Sequence, residues 1–307
     1  MSKIFYVIIN PNAGKKKAQK DWDILSNLLT NNGFKYEFKF TNGKLDAFYL
    51  ALNAIENGTK EIIAIGGDGT FNEIVNAILT QKKCKSTDIS LGLFGIGTGN
   101  DWCRTLKIPC NYNEALNIVK AGKTFIQDVG LATFQNDEKS TSRHFANVAG
   151  MGFDASVAKK VNEDKDSNRT GKILYLKNLL ICLLKSEYYN SEITIDTNKI
   201  REEIFSMSIG IGKYNGGGMM QLPNAIPDDG LLDITMIKKI SKFQVIKQTK
   251  NLYDGTFIKH PCVTLYRGNK IYINSETRMD LELDGEYVGH SPFRFEILPK
   301  ALKVFVP

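Results

Sequence analysis

The 307 residues, 42% of them hydrophobic, hold enough apolar content for a sizeable core in one large domain or two ordinary ones. The formal charge of +7 suits a partner that is a nucleotide, a nucleic acid or an anionic membrane surface, and selects none of these. Five cysteines, odd in number and without a C-x-x-C pair, suggest neither a disulfide framework nor a zinc site, so a reducing, cytoplasmic setting is expected.

Ile4 to Ile9 reads as a buried strand reached too soon for a signal peptide. It ends in Asn10-Pro11-Asn12-Ala13-Gly14-Lys15, a turn followed by basic residues. Trp22, Leu25, Leu28 and Leu29 predict a helix that stops near Gly33. Tyr36, Phe38 and Phe40 alternate with charges as in a half-buried strand. A helix is expected over Asp46–Glu56. Ile62 to Ile65 then forms a short buried strand, closed by Gly66-Gly67-Asp68-Gly69-Thr70-Phe71-Asn72-Glu73. Thr70 and Glu73 have the form of a capping box, so a helix begins there, with Phe71, Ile74, Val75 and Ile78 as its apolar face. Strand, glycine turn and helix N-terminus make an anion site. Asp68 inside it calls for a cation, and phosphate with Mg²⁺ is the economical reading.

Leu91 to Ile96 is another strand, followed by Gly97-Thr98-Gly99-Asn100-Asp101, a short helix carrying Trp102 and Arg104, and a helix over Glu114–Lys120. Alternating strands and helices predict a parallel sheet with helices on its faces, whose turns after Ile9, Ile65 and Ile96 share the ligand-binding edge. Lys15 suits a phosphate. The turn is not a Walker A loop, however, and Gly95 to Asn100 is not G-x-G-x-x-G.

After Asp128 the pattern becomes mostly strands, among them Val129–Thr133, His144–Val148, Glu192–Ile195, Phe205–Ile211, Leu232–Met236, Met279–Leu283 and Phe293–Ile297. Helices are expected near Ala155–Asn162, Lys172–Lys185 and Phe243–Leu252, the last capped by Ser241, with a polar link from Asn162 to Thr170. This predicts an α/β domain over 1–128 completed by 298–307, and a largely antiparallel β domain over 129–297. The longest apolar run, Ile173–Leu184, is broken by Lys177 and Asn178 and is too short to span a bilayer, so any membrane contact is expected to be peripheral. In Leu283-Asp284-Gly285-Glu286 a regular strand would turn both carboxylates the same way, as a pair for acid–base work, while the Asp-Gly pair also reads as a hairpin turn with two solvated acids.

Taken together, Asn10–Gly14, Gly66–Thr70, Gly97–Asp101 and Leu283–Glu286, in this order, resemble the diacylglycerol kinase catalytic-domain family, nearest to its soluble bacterial lipid kinases. The resemblance spans essentially the whole chain. It implies a nucleotide-binding α/β domain of the NAD-kinase and phosphofructokinase kind, followed by a β-sandwich lipid domain. It also implies ATP contacts at Asn10, Pro11, Asn12, Ala13, Gly14, Thr41, Gly67, Asp68, Gly69, Thr70, Phe71, Asn72, Glu73 and Thr98, beside the phosphate role read for Lys15 from the turn. Asp68 and Asp101 would hold the catalytic Mg²⁺ through water, with Arg104 one turn after Asp101. Asp229 with the carbonyls of Ile226 and Leu231 would bind a second, structural Mg²⁺. Asp284 is the expected base, with Glu286 in the metal network or sharing the proton. The implied activity is ATP-dependent phosphorylation of diacylglycerol by a cytoplasmic, peripherally membrane-bound enzyme of phospholipid synthesis that does not bind nucleic acid. A homodimer is compatible with it. Other acceptors stay open: a sphingoid base, phosphatidylglycerol, or a soluble substrate as in NAD kinases.

Overall fold

The structure, a computed structural model, describes residues 3–97, 99–137, 139–166 and 172–307. It divides into two compact units: Met1–Val129 with Pro299–Pro307, and Gly130–Leu298. The chain leaves the first unit within strand β5 (Thr124–Asn136) and returns within β14 (Glu286–Phe305).

The first unit is built on β1 (Ile4–Ile9), β2 (Lys35–Phe40), β3 (Glu61–Gly66) and β4 (Ser90–Gly95), paired in the order β2-β1-β3-β4, all parallel. The end of β14 adds Lys303 and Val304 alongside Ser90 and Leu91, again parallel. The helices are α1 (Ala13–Lys20), α2 (Trp22–Asn31), α3 (Asp46–Glu56), α4 (Asp68–Thr80), α5 (Asp101–Thr105) and α6 (Tyr112–Ala121). Strands β3 and β4 are buried at every position, which is why they read as unbroken apolar runs rather than alternating ones. One core unites Val7, Ile9, Ile63, Ile65 and Phe94 with Leu25 and Leu29 of α2 and Leu116 and Val119 of α6. Helices α3 and α4 pack on each other and on β1 and β3 respectively. Helix α1 was not legible in the sequence. Gly14, Lys15 and Lys16 inside it take left-handed backbone (φ 60, 59 and 67°), which kinks it at the end of the Asn10 loop.

The second unit comprises the rest of β5, β6 (Lys139–Phe145), β7 (Val148–Gly152), α7 (Phe153–Asp166), α8 (Lys172–Lys185), β8 (Tyr189–Ile195), β9 (Asn198–Gly210), β10 (Leu232–Lys238), α9 (Lys242–Asp254), β11 (Val263–Gly268), β12 (Lys270–Ser275), β13 (Asp280–Leu283) and β14 as far as Leu298. The pairs β5–β6, β7–β9, β7–β13, β13–β14, β12–β14, β8–β12, β8–β9, β9–β10 and β10–β11 are all antiparallel. The circuit β9-β7-β13-β14-β12-β8 returns to β9, so the strands close in a barrel-like ring. The thirteen residues of β9 make this possible. Its first half pairs with β8 through Asn198–Ile204, and its second half with β7 through Ser206–Gly210. Closure leaves no edge within the ring. The interior holds Phe145, Met151, Ile193, Met207, Ile209, Ile271, Ile273, Leu281, Leu283, Phe293 and Phe295.

Two expectations need correction here. His144–Val148 is not one strand, because β6 ends at Phe145 and β7 starts at Val148. The link expected from Asn162 is helical as far as Asp166, and its remainder, 167–170, lies outside the described residues.

Close backbone approach around the ring gives one stability prediction. A Cβ on Gly289 would lie 2.2 Å from Gln135 O and 2.7 Å from the Phe134 ring. Gly289→Ala should therefore destabilise by about 1–3 kcal/mol, as overpacking does, read as a lower urea midpoint.

Candidate active site

The loops leaving the carboxyl ends of β1, β3 and β4 touch one another. Asn10 Nδ2 donates to Thr70 Oγ1 at 3.0 Å, and Asn12 N–H turns back to Asn10 Oδ1 at 3.0 Å. A Cβ at Gly14 would meet Ile96 O at 2.5 Å, and one at Gly97 would meet Gly67 Cα at 2.9 Å. Glycine is what lets these backbones meet. Thr41 is buried at the end of β2, its N–H on Ile9 O at 2.8 Å. Lys15 is exposed. Thr98 lies outside the described residues.

Helix α4 starts at Asp68, two residues earlier than the sequence suggested, with Gly67 as its cap. The capping box does not form. The Thr70 hydroxyl takes the Asn10 amide instead. Glu73 caps a different helix, its carboxylate accepting Leu45 N–H at 2.9 Å and Ala47 N–H at 3.1 Å. Leu45 precedes α3 in the left-handed region (φ 65°) and offers no side-chain cap, so a partner from the neighbouring helix meets those N–H groups. Phe71 and Asn72 are fully buried, so only their backbone can face a ligand. With no side chain capping it, α4 presents N–H groups and the positive end of its dipole to the loops.

Asp68 and Asp101 converge. A Cβ on Gly99 would lie 3.1 Å from Asp68 Oδ2 and 3.2 Å from Asp101 Oδ2. Asp68 Oδ1 also receives Trp102 N–H at 3.4 Å. Arg104 Nε stands 3.7 Å from Asp101 Oδ1 across one helical turn. Burial first, and then the charge of Asp68, push the Cys103 thiol pKa up. The Trp102 ring stacks on Phe71 at 4.0 Å, and its Nε1–H donates to Gln127 Oε1 at 2.9 Å, which pins α5 to β5. The donors that converge here are carboxylate oxygens, the chemistry that Mg²⁺ prefers.

In the second unit Leu283 pairs with Glu286, and Asp284 and Gly285 between them both have positive φ (50 and 85°). This is a two-residue hairpin turn. The strand therefore does not continue, and the two carboxylates part. Asp284 is buried and accepts N–H bonds from Ala146 (2.9 Å), Asn147 (3.0 Å) and Val148 (3.1 Å), the residues around the break between β6 and β7. Glu286 keeps a side-chain exposure of 25% and pairs with Arg143 Nη2 at 3.1 Å.

Of the residues expected to hold a structural cation, the Asp229 carboxylate bonds to the Arg267 guanidinium and accepts Leu231 N–H at 3.2 Å, and Asp233 meets the same arginine at 3.2 Å.

Residues 4–132 match the family described as diacylglycerol kinase catalytic domain, and residues 147–306 match the YegS C-terminal NAD kinase beta sandwich-like domain. The chain belongs to the diacylglycerol kinase family. It is a kinase. Its full length is 28% identical to proteins named diacylglycerol kinase from Staphylococcus epidermidis and Staphylococcus saprophyticus, covering 93% and 96% of them. A crystal structure titled a putative diacylglycerol kinase from Bacillus anthracis matches in fold at 24% identity and TM-score 0.77, over 100% of this chain and 97% of that one. Yeast NADH kinase complexed with NADH shares the fold at 11% identity and TM-score 0.55, over 99% of this chain and 82% of that one.

The kinase carries one acidic group that sequence reasoning missed. Glu282, 1% exposed, accepts Asn215 Nδ2 at 2.6 Å through Oε1 and Gly285 N–H at 2.7 Å through Oε2. It thus holds the hairpin turn beside Asp284 from within. Burial raises its pKa to about 8, and Asp154 and Asp284 push the same way. Loss of solvent likewise raises Asp154 to about 6, against hydrogen bonds from Ser208, Ser206 and Gln221. Alternation along Asp280–Leu283 assigns Glu282 to the face opposite Leu281 and Leu283. Helix α7 packs on β13 and β7, so that face is covered too.

Both raised values act in one direction on stability. The neutral acids stabilise fully below the unfolded values near 4, and that contribution is lost as pH rises through about 6 for Asp154 and about 8 for Glu282. Glu282→Gln, which has no proton to lose, should flatten the fall in urea stability between pH 5 and 8.5. Glu282→Ala should lower stability by about 1–3 kcal/mol at pH 5, because it removes the acceptor of Gly285 N–H and the shorter of the two bonds donated by Asn215 Nδ2.

Proposed function

We propose that the protein transfers the γ-phosphate of ATP, with Mg²⁺, to the hydroxyl of a membrane lipid, with diacylglycerol the leading acceptor and phosphatidic acid the product. The observation that carries this reading is the convergence of Asp68 and Asp101 at Gly99, inside an edge built from three touching loops and an uncapped helix start. Phosphoryl transfer depends on positioning and charge neutralisation more than on covalent chemistry. The loop N–H groups and Lys15 would receive phosphate. Asp68 and Asp101 would hold Mg²⁺, whose contribution is to neutralise phosphate charge. The relatives named diacylglycerol kinase support the choice of lipid. Among the described residues no helix is long and apolar enough to cross a membrane. A lipid acceptor would therefore be met by peripheral contact, on the cytoplasmic side.

The second unit would supply the acceptor site and the base, drawn from Asp284 and Glu286. The sequence favours Asp284. Three backbone donors on that carboxylate favour the other division, with Asp284 fixing the hairpin and the more exposed Glu286, oriented by Arg143, taking the proton. Glu286→Gln should then lower kcat by roughly a hundredfold or more, the usual worth of a general base, with an unchanged melting temperature. Asp284→Asn should lower the melting temperature as well, since an amide group cannot accept all three bonds. An active Glu286→Gln beside a dead Asp284→Asn of normal stability would return the proton to Asp284.

Radiolabelled ATP offered with a total lipid extract, and separately with NAD(H), names the acceptor. Label entering a lipid is the expected result, and label entering only NAD(H) would end the lipid reading. Asp68→Ala should abolish turnover while the thermal midpoint stays within a few degrees. Near-normal turnover in that variant would remove Asp68 from the mechanism.

A further inference from the structure

Helix α9 has no buried residue. Its inner side touches the cluster of Leu183, Phe205 and Ile240 through Val245, and its outer side shows Phe243 (76% exposed), Ile246 (53%) and Tyr253 (50%). Lys247 and Lys250 are exposed on the same stripe, since 243, 246, 247, 250 and 253 follow helical spacing. The end of α8 lies alongside. Leu183 enters the same cluster while Leu184 is 71% exposed, and Lys242 Nζ bonds to Leu184 O.

We propose that the outer face of α9, with the end of α8, is a docking surface for an anionic lipid bilayer. Large apolar side chains outside a folded domain are stabilised where they can leave water, and an interfacial helix places them among acyl chains while its lysines reach lipid phosphates. Charge decides between occupants. The stripe sets two lysines, Lys247 and Lys250, between Phe243 and Ile246 on one side and Tyr253 on the other, and the helix's acid, Asp254, stands at its C-terminal end. Two copies meeting about a two-fold axis would set this lysine-bearing stripe against its own lysines, whereas an anionic bilayer complements it. The surface shares no residue with the loops and the hairpin described above. The inference rests on the lipid-kinase reading only for its reason to visit a bilayer.

The test is flotation of the full-length protein, without ATP, with vesicles of phosphatidylglycerol and phosphatidylcholine. Wild type should float at low salt and be released as salt screens the lysines. K247E/K250E and F243S/I246S should each lower partitioning at least about tenfold, while keeping the wild-type melting temperature and turnover of a short-chain, water-dispersed diacylglycerol. Variants that float like wild type overturn the proposal. So does a wild-type dimer, seen by sedimentation, that F243S/I246S converts to monomer, because a second copy would then cover the face. Wild type that phosphorylates no lipid, beside variants that have lost flotation, would sink the lipid-kinase reading and leave the docking surface standing.

Discussion

Three consecutive backbone N–H groups, from Ala146 to Val148, converge on one buried carboxylate, Asp284, and much of the second unit follows from that. Buried N–H groups must find partners, and where β6 ends at Phe145 and β7 starts at Val148 a carboxylate supplies them in place of a ladder. The hairpin that carries Asp284 sits at this break, and Asp284 N–H returns the contact to Val148 O at 2.9 Å. Glu282 fixes the same turn from its other side through Gly285. What these two acids leave accessible is Glu286, on the first residue of the next strand.

The first unit solves a related problem with a different acid. In a parallel sheet every strand ends at the same edge as its neighbours, so the loops there are crowded by construction. Glycine at 14, 67 and 97 lets the loops touch, and Glu73 satisfies the start of α3 from the adjacent helix. The start of α4, capped by no side chain, faces the loops with its backbone N–H groups and the Asp68 carboxylate.

The central strands were legible because burial on both faces leaves a continuous apolar run, as in Ile62 to Ile65. The three loops were legible because glycine and asparagine cluster where backbones approach. What escaped depended on contacts distant in the chain. Thr70 and Glu73 have the spacing of a capping box, and nothing local reveals that Asn10 and Leu45 compete for them. The charged first half of β9, Lys199 to Glu203, hides a strand whose pairing closes the barrel-like ring. Asp284 and Glu286 two apart suggest a shared face, and only the positive φ at Asp284 separates them. Glu282 looks like a solvated strand residue until α7 covers it. At Asp229 the family resemblance implies a cation site, and nothing local shows that Arg267, 38 positions away, bonds to the same carboxylate.

The acids therefore fall into groups by what neutralises them. Asp284 and Glu73 are satisfied by backbone N–H groups, which suits a structural element with no need to change charge. Asp229 and Asp233 share an arginine. Glu282 and Asp154, short of solvent, move toward the neutral form. Asp68 and Asp101 differ from all of these. Two carboxylates brought together at Gly99 repel, and Arg104, half exposed and 3.7 Å from Asp101, offsets that only in part. Folding energy is spent on holding two like charges next to an edge made for anions. Such a cost is understandable where a divalent cation and a phosphate arrive together, since each then neutralises what the other and the protein leave over. Under the proposed function such an arrangement would bind nucleotide and metal cooperatively, each favouring the arrival of the other.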